Sequence, residues 1–309
     1  MNMQLRPMRT DEWGPVAELI YDSTNAWYVA NGRSAIFTGP KSHCELFCQV
    51  YEALDRECCV VAEDFDTGRL AGSCFYHPRE THVSLGIMNV HPDCFGQGIA
   101  RRLLAHITDY ADGVGKPVRL VSSAVNLDSF SLYSRAGFVP RIVFQDMLLA
   151  VPEDGLAIEP PPGADRVREA TPDDAIAMAD LEMRLVGIRR EKDYRYFLAN
   201  ADGIWHASVI EGQGGAIEGF LVSVAHPGSH MVGPGVVAAE AQAAALIHAE
   251  LSRHRGFTPV WLVPSACADL VQTMYAWGAR NCELHFAQCR GAWPEPTGIV
   301  LPTFMPETG

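Results

Sequence analysis

The segment 88–104 constrains this chain more than any other. An apolar alternation through Val83, Leu85, Ile87 and Val90 stops at Pro92, which has no N–H to give a strand ladder. Gly96 and Gly98 follow in a short loop. A helical period then opens at once through Ile99, Leu103, Ile107, Tyr110 and Ala111, with Leu104 alongside. A strand that passes through a Gly-rich turn into a helix bares several backbone N–H groups beside the positive end of a helix dipole, which suits a phosphate. Two glycines at this spacing also fit a plain tight turn.

The surroundings narrow the class. With 309 residues and 48% hydrophobic content, the chain can bury one large core or two ordinary ones. A net charge of −13 argues against nucleic acid or an anionic membrane as a main partner. No apolar run approaches the roughly 20 residues of a membrane span, and the start of the chain reads as a strand without an export signal. Nine cysteines without C-x-x-C or metal spacing fit reduced thiols, a cytoplasmic setting and no metal, and the odd count weighs against full pairing. Cys44 and Cys48, four apart, fit one buried helix face.

Taken in order, residues 4–8 alternate like a first strand, and Thr10, Asp11 and Glu12 open a helix with apolar positions Val16, Leu19, Ile20, Trp27 and Tyr28. A second helix covers 43–54. Strands at 58–62 and 70–77 flank an Asp66-Thr67-Gly68 turn, and 81–90 continues the meander into the glycine loop. Residues 118–123 read as a strand. Asn126 precedes a helix carrying Ser129, Leu132 and Tyr133, which closes at Gly137-Phe138, and a strand covers 142–149.

Residues 95–100 resemble the acyl-CoA loop of the GNAT acetyltransferase superfamily, Q/R-x-x-G-x-G/A. Gly96, Gln97, Gly98, Ile99 and Ala100 lie in the matching stretch, whereas Phe95 stands where Gln or Arg is usual. Asn126 with Leu132-Tyr133 and Gly137-Phe138 is similar to the family's second recurring motif. The resemblance covers residues 1 to about 150. Past the Pro-rich stretch 159–163, expected to hold two domains apart, the plan recurs. A strand covers 166–169, and a capped helix opens at Thr171-Pro172-Asp173-Asp174. A hairpin joins 205–211 to 217–225. Gly233-Pro234-Gly235 leads into an alanine-rich helix over 237–253, 260–263 is a strand, and Met274-Tyr275 falls where Leu132-Tyr133 does. The expected architecture is therefore α/β (α+β): two tandem GNAT-like domains, each a mixed, largely antiparallel sheet flanked by helices. The expected segments are a GNAT acyl-CoA-binding domain over 1–152, a linker over 153–164 and a degenerate GNAT-like domain over 165–309. In the second copy Pro234 lacks a donor, Glu240 brings negative charge, and Cys267 replaces Asn126. The tail from Trp293 onward reads as a docked last strand.

The resemblance implies N-acetyl transfer from acetyl-CoA, bound as a substrate, to a primary amine of a small molecule by direct attack. Non-catalytic acyl-CoA binding or a role as an interaction module is the alternative. It implies that Gly96, Gln97, Gly98, Ile99, Ala100 and Arg101 hold the pyrophosphate and that the pantetheine arm runs beside Met88, Asn89 and Val90. Tyr133 matches the family's general acid but also fits an aromatic packed beside Leu132. Asn126 fits a contact to the cofactor or an ordinary helix cap. The Glu often present on the fifth strand is absent, and His77 and His82, flanking the meander turn, are candidates for a base.

Overall fold

The computed structural model describes residues 3–304, which divide into two compact units. One takes in residues 3–78 and 82–118 with Phe304; the other takes in residues 79–81 and 119–303.

The first unit contains β1 (Met3–Pro7), α1 (Trp13–Ala30), α2 (Glu45–Leu54), β2 (Cys59–Asp64), β3 (Leu70–Pro78), β4 (Val83–Val90) and α3 (Ile99–Gly113). Its strands run antiparallel in the order β1-β2-β3-β4. Val16 and Ile20 of α1, Cys48 and Tyr51 of α2, and Leu103 and Ile107 of α3 are buried. Cys44 and Cys48 are free and buried, as their spacing predicts. The helix α3 packs closely because Gly72 on β3 has no side chain. A Cβ there would lie 2.9 Å from Ile99 Cγ2 and 3.0 Å from the Asn89 carbonyl oxygen.

The second unit begins within β5 (Val118–Ser123) and continues through α4 (Leu127–Arg135), β6 (Val139–Leu148), β7 (Val167–Glu169), α5 (Ala175–Val186) and α6 (Glu191–Ala199). Then come β8 (Trp205–Glu211), β9 (Ile217–His226), β10 (Ser229–Val237), α7 (Glu240–Leu251), β11 (Val260–Pro264), α8 (Ala268–Ala276), β12 (Arg280–Arg290) and β13 (Ile299–Leu301). From β7 to β12 the elements repeat the order of β1 to β6. The repetition extends to side chains. Arg6 on β1 donates from Nε to Glu63 (2.6 Å) and through both Nη atoms to Glu12 (2.6 and 2.8 Å). Arg168 on β7 donates from Nε to Glu211 (2.6 Å) and through both Nη atoms to Asp174 (2.8 and 3.0 Å). Each arginine uses its planar fork to tie a first strand to the second strand and to the turn that opens the first helix.

The last strands are placed differently from a simple tandem. In the second unit the order is β5-β12-β6-β11-β10-β9-β8-β7. The sixth strand of each repeat therefore lies beside the fifth strand of the other. β6 is antiparallel to β12 from Arg280 opposite Leu148 to Cys289 opposite Val139, and on its other edge it is antiparallel to β11. The compact units accordingly do not follow the expected segments 1–152 and 165–309. Nor does the Pro-rich stretch 153–164 stand free as a spacer. Just before it, Val151 exchanges backbone hydrogen bonds with Phe257 and Gly256, both 2.9 Å. Within it, the Ile158 carbonyl oxygen meets His248 Nε2 on α7 at 3.1 Å.

Two elements escape the sequence pattern. The charge-rich α6 buries Asp193, Tyr194 and Phe197. β12 carries two register shifts, which break the period-two signal. Residues 305–309 of the expected last strand lie outside the described residues.

The strand exchange predicts that a fragment ending at Pro161 is not an independent domain. Produced alone, it should aggregate through unpaired strand edges. Co-produced with residues 162–309, it should co-purify as a one-to-one complex. A monomeric, cooperatively melting fragment would contradict the exchange.

Candidate active site

In the first unit the chain leaves β4 through a tight turn. His91 Nδ1 accepts from the Asp93 N–H (3.1 Å), and Arg69 Nη2 donates to Asp93 Oδ2 (2.9 Å). The Arg69 hydrogen bond holds the Asp93 carboxyl below its usual range. Gly96 and Gly98 then take φ of 76° and 78°, the left-handed region that side chains other than glycine's disfavour. Apart from its two chain neighbours, no described residue comes within 4 Å of a Cβ built on Gly96. Gly98 is the N-cap of α3 and has no side-chain cap. Its carbonyl accepts from Arg102 N, so the N–H groups of Ile99, Ala100 and Arg101 precede the intrahelical ladder. Those donors and the helix dipole fit a phosphate. Gln97 turns its side-chain amide back to the Asp93 carbonyl oxygen (3.2 Å), and Phe95 is 47% exposed, so the loop's donors are mainly backbone. Cys94 is buried and is no exposed nucleophile.

Met88, Asn89 and Val90 stand opposite Cys74, Ser73 and Gly72, beyond a register shift that gives β4 an extra residue. A bulge of this kind re-aims a strand. Asn89 Nδ2 is within reach of Ser23 Oγ (3.2 Å) and Thr24 Oγ1 (3.3 Å) on α1, so its side chain serves packing and its main chain is what an added strand would meet. His77 and His82 are fully buried. His77 Nδ1 lies 2.7 Å from Asp55 Oδ2, and its ring lies 4.8 Å from that of Tyr51. The environment of both is that of core histidines.

Asn126 and Tyr133 belong to the second unit. Asn126 Oδ1 accepts from the Ser129 N–H at 3.0 Å, so the side chain caps α4 as an asparagine ordinarily does. Tyr133 is 6% exposed and packs 5.7 Å from the Phe138 ring. The same helix in the second repeat corrects the expected alignment. Asn126 and Cys267 are N-caps with matching dihedrals, φ −84° and ψ 81° against φ −83° and ψ 80°. Phe138 N bonds to the Tyr133 carbonyl just as Ala279 N bonds to that of Met274. Met274, not Tyr275, therefore corresponds to Tyr133. Tyr275 is exposed and donates its hydroxyl to Gln145 Oε1 at 2.6 Å.

The second repeat also loses the loop. Residues 233–235 lie inside β10 rather than in a turn, and α7 begins at Glu240. Two residues, 238 and 239, replace the eight of 91–98. Parallel pairing of β10 with β11 stops after Met231–Val260 and Val232–Trp261. Beyond that point β13 pairs with β10, Gly235 opposite Leu301 and Val237 opposite Ile299. A Cβ on Gly235 would lie 2.5 Å from Leu221 Cδ1 and 2.7 Å from the Phe220 carbonyl oxygen, so this glycine is kept by packing. Glu240 has a local task, because its Oε2 accepts from the Leu270 N–H (2.6 Å) and caps α8 where Cys267 does not. Among the described residues no group of His, Cys, Asp and Glu forms a metal site, and no helix is long and apolar enough to cross a membrane.

The segment 25–138 matches the acetyltransferase (GNAT) family model. It contains the loop, Asn126 and Tyr133. The fold is shared across nearly the whole chain. A provisionally assigned acetyltransferase from Pyrococcus horikoshii superposes with a TM-score of 0.77 at 15% identity, over 99% of this chain and 96% of that one. A GCN5-related N-acetyltransferase from Sphaerobacter thermophilus gives 0.62 at 16%, over 95% and 96%. A tandem GNAT protein of the clavulanic acid biosynthesis pathway gives 0.60 at 16%, over 95% and 99%. In sequence, UPF0157 protein YqkA of Bacillus subtilis (strain 168) is 34% identical over 71 residues, which span 23% of this chain and 20% of that relative.

The capping role of Glu240 predicts that Glu240→Ala lowers stability by about 1 kcal/mol, the usual cost of a lost cap, and leaves CoA affinity unchanged. Denaturant melts and equilibrium binding check this. Unchanged stability with altered CoA binding would instead place Glu240 beside the ligand.

Proposed function

We propose that the chain is an acetyl-CoA-dependent N-acetyltransferase with one working cofactor site, transferring acetyl to the primary amine of a small molecule. The observation that carries this reading is the asymmetry of the repeats. The first keeps an eight-residue connection with left-handed Gly96 and Gly98, followed by Tyr133. The second has a two-residue connection, β13 beside β10, and Met274.

In this reading the N–H groups of residues 96–101 hold the pyrophosphate, with Arg101 nearby as a cation. The pantetheine amides pair with the main chain of Met88, Asn89 and Val90 in the manner of an added strand. The neutral amine attacks the thioester carbonyl carbon, a C–N bond forms and the C–S bond breaks. The departing thiolate takes a proton from the Tyr133 hydroxyl, and the amine's proton passes to solvent; no residue is assigned as base. Asn126, whose Oδ1 is committed to its cap, has only Nδ2 to offer a ligand. The second repeat is supportive. The free thiols favour a cytoplasmic setting. Non-catalytic acyl-CoA binding is the second reading, favoured by Phe95 at a usually polar position and by the absence of Glu on β5. Thiol release from acetyl-CoA across an amine panel separates the two.

Gly98→Trp should abolish CoA binding, because the indole would fill the phosphate cradle; retained affinity would remove the loop from the site. Tyr133→Phe should spare CoA affinity and the fold but lower kcat by about 10²–10⁴-fold, the usual scale of general acid–base catalysis. Equal losses in kcat and kcat/KM would mark a transition-state contact, whereas full activity would return Tyr133 to a packing role.

A further inference from the structure

The hairpin between β2 and β3 sends one cation to the loop that follows β4. Thr67 N and Gly68 N both bond to the Asp64 carbonyl oxygen (3.2 and 2.7 Å), and Asp64 N bonds to that of Arg69 (2.9 Å). Gly68, with φ of 71°, closes the turn. Gly72 on β3 stands opposite Val90 on β4. His91 N bonds to the Ala71 carbonyl oxygen (2.8 Å), which carries the ladder one step further. Counted on in the same antiparallel register, Arg69 falls opposite Asp93. Its Nη2 donates to Asp93 Oδ2 at 2.9 Å and lies 2.8 Å from His91 Nε2.

As a brace this pair contributes little. Both side chains are more than half exposed, and exposed ion pairs add little to stability. The loop is braced locally instead. Cys94 N bonds to the His91 carbonyl oxygen, Phe95 N to that of Pro92 and Gln97 N to that of Cys94, and the Gln97 amide returns to the Asp93 carbonyl oxygen. What the pair changes is charge. Asp93 is three residues from Gly96, so their Cα atoms are separated by at most about 11 Å of extended chain. That is close to the Debye length of about 8 Å at physiological ionic strength. An aspartate carboxyl is ionised at neutral pH with or without an arginine beside it. Left uncovered, it would repel a phosphate approaching the N–H groups that begin at Gly96.

We propose that Arg69 is a positioning residue for CoA, which acts through Asp93: it covers the carboxylate at the entrance to the 96–101 loop and so sets how tightly the pyrophosphate is held. The proposal rests on the reading of residues 96–101 as the pyrophosphate cradle. Every residue in it lies in the first unit. Arg69 touches neither the phosphates nor the reacting atoms in this account. Its effect is electrostatic, so it responds to salt and depends on Asp93 being charged.

CoA affinity of the full chain, read by equilibrium dialysis, tests this with Arg69→Ala, Asp93→Asn and the two combined. The measurements are made at about 10 mM ionic strength, where the Debye length is about 30 Å, and at about 1 M, where it is about 3 Å. Arg69→Ala should weaken CoA by about fivefold at low salt, the scale of one exposed carboxylate facing two phosphate charges across water. The loss should vanish at high salt. The double variant should bind as tightly as the unaltered chain, because no carboxylate is left to cover. A mechanical brace would behave otherwise: the double variant would bind no better than Arg69→Ala at either salt, and that result would overturn the proposal. So would unchanged affinity in Arg69→Ala. Gly98→Trp separates the proposal from its premise. CoA bound equally well by that variant removes the loop from the site, and the role of Arg69 with it. Binding that Gly98→Trp abolishes and Arg69→Ala leaves untouched removes the role of Arg69 alone.

Discussion

The antiparallel pairing of β6 with β12 holds the second unit together, and most of the other features of that unit follow from it. Each of these strands closes a sixth position in a repeat to which it does not belong by sequence. Side chains reinforce the seam. His285 Nδ1 on β12 lies 2.8 Å from Asp146 Oδ2 on β6, both buried. Ser123 on β5 donates to Glu283 on β12, and Gln288 on β12 donates to Ser122 at 2.6 Å. Burial pushes the Asp146 carboxyl up, and the hydrogen bond from His285 opposes that shift. Polar groups placed on the inner positions of a central strand favour one register, because a slip by one residue would leave each of them unpaired.

A shared seam also allows the repeats to diverge. The second repeat retains what folding requires: the Arg168 clasp, the turn at Asp174, and the Gly278 helix end whose φ of 87° equals that of Gly137. What it lacks is what a phosphate and a thioester would need, namely a left-handed glycine loop that opens a helix and a tyrosine at the 133 position. β13 pairs with β10 through its own backbone, and Ile299 and Leu301 are buried there. The hydrogen bonds that an extended ligand would make to β10 are made by the chain itself.

The sequence was most legible where local chemistry governs. The strand-loop-helix at 88–104 lies where its glycines and apolar period place it, and the clasp-bearing turns at Glu12 and Asp174 follow from capping chemistry. It was least legible where long-range pairing overrides local pattern. The alternation of β12 is interrupted by two bulges, and its inner face is polar. Gly233-Pro234-Gly235 has a turn-like composition, yet Gly235 is required by the approach of Leu221 and Phe220. Met274-Tyr275 places a tyrosine one residue from the position that matters, a shift that backbone hydrogen bonds reveal and composition does not. The pairing partner of Glu240 is 30 residues away in sequence, so its capping role is invisible to a linear reading.

The central claim is that only one repeat has a free cofactor slot. The most direct test is the stoichiometry of CoA binding to the full chain, by equilibrium dialysis with active-protein concentration fixed independently. One CoA per chain, with no second site at millimolar ligand, is the predicted result. Two equivalents per chain would contradict the account, because the second would have to displace β13 from β10.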